Sequence, residues 1–171
     1  MNRLWFAVQP LLALAAATPL LAQGFAFETK QQDPSRHRPP GLQILSKRAV
    51  PYGEEVLGVY AIRDAEDIED GKRVKVWHEK GADLKVRNET IRCDTTNPMR
   101  ITSTGSQMLM LELNPGGAVA PHNLESHLIW WAACVPEMAG KDPNTLQAEA
   151  LKLGYSGMKI ERSHSLPGRP R

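Results

Sequence analysis

The sequence predicts an α+β domain, mostly antiparallel β-sheet in a small sandwich or partly closed barrel, with one C-terminal helix packed on it and one disulfide. Three observations lead there. Lys72-Arg73-Val74-Lys75-Val76-Trp77-His78 alternates apolar and charged residues at period two, the signature of a half-buried strand. Asp83-Leu84-Lys85-Val86-Arg87 repeats the alternation after the turn-like Glu79-Lys80-Gly81-Ala82, which makes the pair a hairpin. Finally, Asp142-Pro143 precedes a stripe of Leu146, Ala150 and Leu153 that ends at Gly154. A capping carboxylate, a first-turn proline, i/i+4/i+7 apolar spacing and a terminal glycine mark a helix over 143–153.

The remaining elements follow in order. Residues 1–22 hold one early positive charge, Arg3, then an apolar run broken by Gln9-Pro10 and Thr18-Pro19 and ending in small residues. That is the layout of a cleavable secretory signal, and it is too short in uninterrupted apolar length for a permanent span of about 20 residues. Cleavage after Ala22 is expected, and Ala17 or Ala26 would also serve. Nothing later is apolar enough to cross a bilayer, so the mature chain carries no membrane span. Residues 23–48 read as a polar, proline-punctuated arm or pro-region with little apolar surface to offset ordering entropy. The arm ends at Lys47-Arg48, either a dibasic processing site or two solvated charges at the start of a strand. A single disulfide-bonded domain is expected over 49–160, and a flexible basic tail over 161–171.

Within the domain, Glu55–Ile62 is rich in β-branched and aromatic residues and reads as a strand. At Asn88-Glu89 the alternation shifts parity before Thr90-Ile91-Arg92-Cys93, which predicts a bulge or turn there. Met99–Thr102 and Gln107–Leu113 are further strands, closed by the turn Asn114-Pro115-Gly116-Gly117. Leu128–Val135 is the most apolar stretch after the signal. Its aromatic and β-branched content assigns it to a buried strand, and a short core helix beginning at Ser126 fits almost as well.

Removing residues 1–22 leaves 20 basic and 19 acidic side chains. That balance argues against nucleic acid as a partner, since binding phosphates requires a clustered basic surface. Residues 23–171 suit one domain, able to bury about 68–70% of its unfolded surface. The two cysteines, Cys93 and Cys134, are expected to form a disulfide because an exported chain meets an oxidising compartment. Closing that loop stabilises by about 3–4 kcal/mol in the chain-entropy model.

Few residues suggest chemistry. The acidic run Asp64–Gly71 fails as a calcium loop, because a glycine at position 6 would place Ile68 at 3 and Trp77 at 12; it reads as a solvated turn. No Gly-x-Ser-x-Gly elbow is present, so a hydrolase of that kind has no support. His122, Glu125 and His127 offer zinc-compatible ligands within six positions. The two histidines are five apart, though, and would not share a helix face as an i, i+4 pair does. Trp130 and Trp131 would point to opposite faces of a strand, leaving one as a possible partner contact. The functional expectation is therefore an exported non-enzymatic binding or interaction protein: a secreted effector or inhibitor-like module, or an envelope accessory protein. It needs no cofactor, has a protein or glycan partner, and is secreted, or periplasmic in a bacterium. The alternative is a metal-dependent secreted hydrolase using His122, Glu125 and His127.

Overall fold

The computed structural model describes residues 33–167; the expected signal segment 1–22 and its cleavage site lie outside them. The hairpin read from the alternation is present. Strands β3 (Gly71–Lys80) and β4 (Asp83–Arg92) pair without interruption from Lys80↔Asp83 to Gly71↔Arg92. Gly81 opens the two-residue loop at φ 60°, and a Cβ there would lie 2.6 Å from the Tyr52 carbonyl oxygen. Glycine is thus fixed both by the left-handed backbone and by the close approach of the neighbouring turn.

Around this hairpin the chain forms a meander. Strands β1 (Gln43–Val50), β2 (Gly53–Asp64), β5 (Met99–Ser103), β6 (Gln107–Glu112) and β7 (Arg162–Pro167) complete one seven-stranded sheet in chain order, each strand antiparallel to the next. The fold class expected from the sequence holds as a mostly antiparallel sheet with helix and one disulfide. The sheet is single and not closed, because a helix rather than a second sheet covers its apolar face.

That helix, α1 (Leu124–Cys134), corrects the strand assignment for 128–135. Periodicity could not decide the matter, because the run is apolar on every side and a helix apolar all round is a buried helix. Leu57, Val59, Val74, Val76 and Ile91 from the sheet form one cluster with Leu128, Ile129, Trp130 and Trp131, joined by Leu146, Ala150 and Tyr155 from the following segment. The rings of Trp130 and Trp131 meet edge to face at 5.2 Å, and Trp130 meets Tyr155 at 4.9 Å, a favoured aromatic geometry.

The C-terminal helix is shorter than its stripe suggested. Asp142 caps a 3-10 turn at Pro143–Thr145, and α2 spans Gln147–Lys152. Leu146 and Ala150 are buried but Leu153 is exposed. Cys93, just past β4, is bonded to Cys134 at the end of α1, with Cα atoms 5.5 Å apart.

Three further expectations change. No bulge exists at Asn88-Glu89; the sheet is irregular instead at Ile44/Ser46 and at Tyr60/Arg63. Residues 162–167 of the expected tail are strand β7, which pairs with β6 from Arg162↔Glu112 to Pro167↔Gln107. All six are exposed, so no apolar alternation advertises the strand. The end of the expected arm belongs to the sheet as well: residues 43–48 lie in β1, Leu45 is buried, and Lys47 and Arg48 pair with Val56 and Glu55. Upstream, Arg38 forms a two-pronged ion pair with Glu79 at 2.6 and 2.7 Å, and the Trp77 indole N–H donates to the same carboxylate at 2.6 Å. The acidic run forms the β2–β3 turn as read, with Asp64 on Lys72 and Asp67 on Arg73.

Candidate functional site

Helix α1 runs alongside β4 and covers only part of it. Its C-terminal end is tied to the strand end, where the Trp130 indole N–H donates to the Arg92 carbonyl at 3.1 Å and Cys134 bonds Cys93. Its first turn reaches only mid-strand, where Glu125 meets Arg87. The helix-facing side of β4, β5 and β6 beyond that point is uncovered and forms a groove of 610 Å³. It is lined by Lys85 and Arg87 of β4, Thr102 of β5, Leu109 and Leu111 of β6, and His122 and Glu125 around the start of α1.

Register explains which side chains converge. Val74 pairs with Glu89, Ile91 with Arg100, and Arg100 with Leu111. Period-two alternation therefore puts Arg87, Glu89, Ile91, Arg100 and Leu111 on the face that α1 covers. Two arginines and two glutamates occupy what would otherwise be continued apolar core. Arg100 Nε and Nη2 donate to the two Glu89 oxygens at 2.7 and 2.9 Å, Nη1 donates to the Ser126 hydroxyl at 3.0 Å, and Nη2 also donates to Glu125 Oε1 at 2.8 Å. Arg87 Nη2 donates to the same Glu125 oxygen at 2.5 Å, and its Nε lies 3.0 Å from Glu89.

The network is graded. The Arg100 and Glu89 side chains are 6% and 0% exposed, whereas Arg87 and Glu125 are 30% and 38% exposed and border the groove. Burial opposes the charge on Arg100, but Glu89 and Glu125 outweigh it and raise its pKa further. Burial likewise opposes ionisation of Glu125, yet Arg100 and Arg87 hold its carboxyl below the usual carboxylate range. A carboxylate pinned in its charged form between two guanidinium groups has no proton to donate near neutral pH and is a weak base, since efficient general catalysis needs a pKa near the working pH. The arrangement presents fixed charges, well suited to binding.

A second polar cluster adjoins the first. His127 is fully buried, with Nε2 2.6 Å from Glu161 Oε1. Glu161 also accepts the Asn114 backbone N–H at 2.9 Å and the Asn123 side-chain amide. His122 lies between the clusters, lining both the main groove and a 210 Å³ cavity beside Glu161.

The structure does not bring together His122, Glu125 and His127, the ligands of the alternative metal-dependent reading. Glu125 is held by arginines and His127 by Glu161, and among the described residues no group of three His, Cys, Asp or Glu side chains is placed to hold a metal ion. Trp130 and Trp131, at 0% and 1% exposure, are core residues, and neither indole is available as a partner contact. Among the described residues no helix is long and apolar enough to cross a membrane. Sequence reasoning missed Arg87, Glu89, Arg100 and Glu161. The parity shift at Asn88-Glu89 was the one available signal: Leu84 and Val86 lie on the exposed face, whereas Lys85, Arg87 and Glu89 precede Ile91 on the face that α1 covers. No family model, curated protein or solved structure matches the chain.

Proposed function

We propose that this chain is an exported, non-enzymatic binding protein that receives a small polar ligand in the groove at the N-terminal end of α1. The observation that carries this reading is the Arg87–Glu89–Arg100–Glu125 network. Its buried half is locked between two strands and a helix, and its exposed half lines the groove. Recognition groups held on rigid elements by their own hydrogen bonds bind without paying to be ordered. The groove volume falls within the range of small-molecule sites, about 300–1,000 Å³. Export rests on the signal layout of residues 1–22 and accords with the Cys93–Cys134 bond. The working compartment is extracellular, or periplasmic in a bacterium.

Amide NMR mapping with a panel of small metabolites (amino acids, sugars, carboxylic acids and phosphate esters) tests the reading without assuming a ligand. Saturable shifts should cluster on Lys85, Arg87, Thr102, His122 and Glu125. A panel that leaves these amides unmoved, or moves only residues elsewhere, would overturn the assignment of the groove.

A further inference from the structure

We infer that the groove takes a zwitterion, specifically a free α-amino acid with an apolar side chain; this rests on the groove being the binding site. The argument begins with what the ion network leaves over. Both arginines that reach Glu125 do so through Oε1. Its Oε2 accepts no hydrogen bond from any described residue, and the side chain is more than one-third exposed at the groove. One negative acceptor therefore faces the ligand. On the facing strand, Lys85 has no carboxylate within ion-pair distance among the described residues, and Arg87 Nη1 makes no hydrogen bond among them. Lys85 and Arg87 are two residues apart on β4 and so share a face, giving a positive edge next to the negative one.

This pairing restricts the ligand's charge. An anion would satisfy Lys85 and Arg87 while pressing against Glu125, and a simple cation would do the reverse. A neutral polyol would cover Lys85, which has no ion-pair partner among the described residues, without supplying a counter-charge, and covering an uncompensated charge is costly. An α-amino acid carries an ammonium and a carboxylate on one carbon, matching an acceptor and donors on neighbouring side chains, since Arg87 and Glu125 are themselves ion-paired through their other atoms. The ammonium is received by Glu125 Oε2 and the carboxylate by Lys85 and Arg87. Beyond the charged edge, Leu109 and Leu111 on β6 are half-buried and line the same groove, a surface for an apolar side chain.

Calorimetric titration of the oxidised protein with L-leucine, N-acetyl-L-leucine, L-leucinamide and glucose tests the proposal. L-leucine should saturate one site. Blocking either end should weaken binding about tenfold or more, because it removes a charge-assisted hydrogen bond. Lys85 is a surface residue, so Lys85→Ala should fold normally, weaken L-leucine about tenfold and leave L-leucinamide unchanged. N-acetyl-L-leucine, L-leucinamide or glucose binding as well as L-leucine would overturn the zwitterion. So would shifts at the groove amides with other panel members but none with L-leucine, and in both cases the groove stands as the binding site. If no compound in either experiment reaches the groove, both readings fall.

Discussion

Arg100 on β5 sits diagonally across from Glu89 on neighbouring β4 and donates two fork hydrogen bonds to its carboxylate, at 2.7 and 2.9 Å, on the face that carries the apolar core. Buried ion pairs are weak contributors to net stability, yet breaking one costs about 3–5 kcal/mol because the surviving charge is stranded. Arg100→Met and Glu89→Gln should each lower the urea unfolding free energy by about that amount. The double variant should recover part of the loss. Equal, additive losses in the two single variants and the double variant would show that the pair is not coupled.

Acid should loosen the second cluster. Burial opposes ionisation of Glu161, but the hydrogen bonds from His127, Asn123 and the Asn114 N–H outweigh it and depress its pKa. A carboxylate whose folded pKa lies below its unfolded value, about 4.3 for glutamate, contributes stability that is fully present above that value. The contribution is lost as pH falls through the folded pKa. Glu125 adds to the same trend. Unfolding free energy measured from pH 7 to pH 2 should fall below about pH 4, and Glu161→Gln should flatten the slope. An unchanged slope in that variant would remove Glu161 from the account.

Reducing the Cys93–Cys134 bond should cost about 3–4 kcal/mol in the chain-entropy model. The Cys93→Ala/Cys134→Ala double variant should match the reduced protein in chemical denaturation. Mass spectrometry of the purified protein, two hydrogen atoms lighter than the reduced mass, checks the bond independently.

The dibasic pair Lys47-Arg48 lies inside β1, each residue ion-paired to β2, through Glu54 and Glu55. A chain beginning at Ala49 would lose buried Leu45 and would lose Arg38, leaving Glu79 without its guanidinium partner. We expect that chain to unfold at a markedly lower temperature than one beginning at Gln23, with thermal unfolding by circular dichroism as the measure. Equal melting temperatures would make residues 23–48 dispensable.

What the sequence made legible tracks what alternates. Val74 and Val76 against Arg73 and Lys75 announced β3, because one face met the apolar core; Leu84 and Val86 announced β4 although they lie on its exposed face, opposite Arg87, Glu89 and Ile91. The rules failed where that contrast vanished. Leu128–Val135 has no polar side, so its period was silent between strand and helix. Arg162–Pro167 has no buried side, so β7 looked like tail. Glu89 and Arg100 broke the contrast differently: charged residues stood on the core face, and a period-two reading could express that only as a bulge. The candidate site was invisible for the same reason, since its members come from β4, β5 and α1 and no local spacing links them.

The meander order has a consequence for the chain as it is synthesised. Strands β1–β6 are laid down in sequence, each able to pair with the one just made, yet the lid for their apolar face arrives only with residues 124–134. Until then Val59, Val76 and Ile91 have a sheet beneath them and nothing above. The nascent protein must pass through a stage in which a ready-made ladder exposes a bare hydrophobic surface, the condition that invites aggregation. Residues 124–134 supply that cover and, with Cys134, the second thiol needed for the bond.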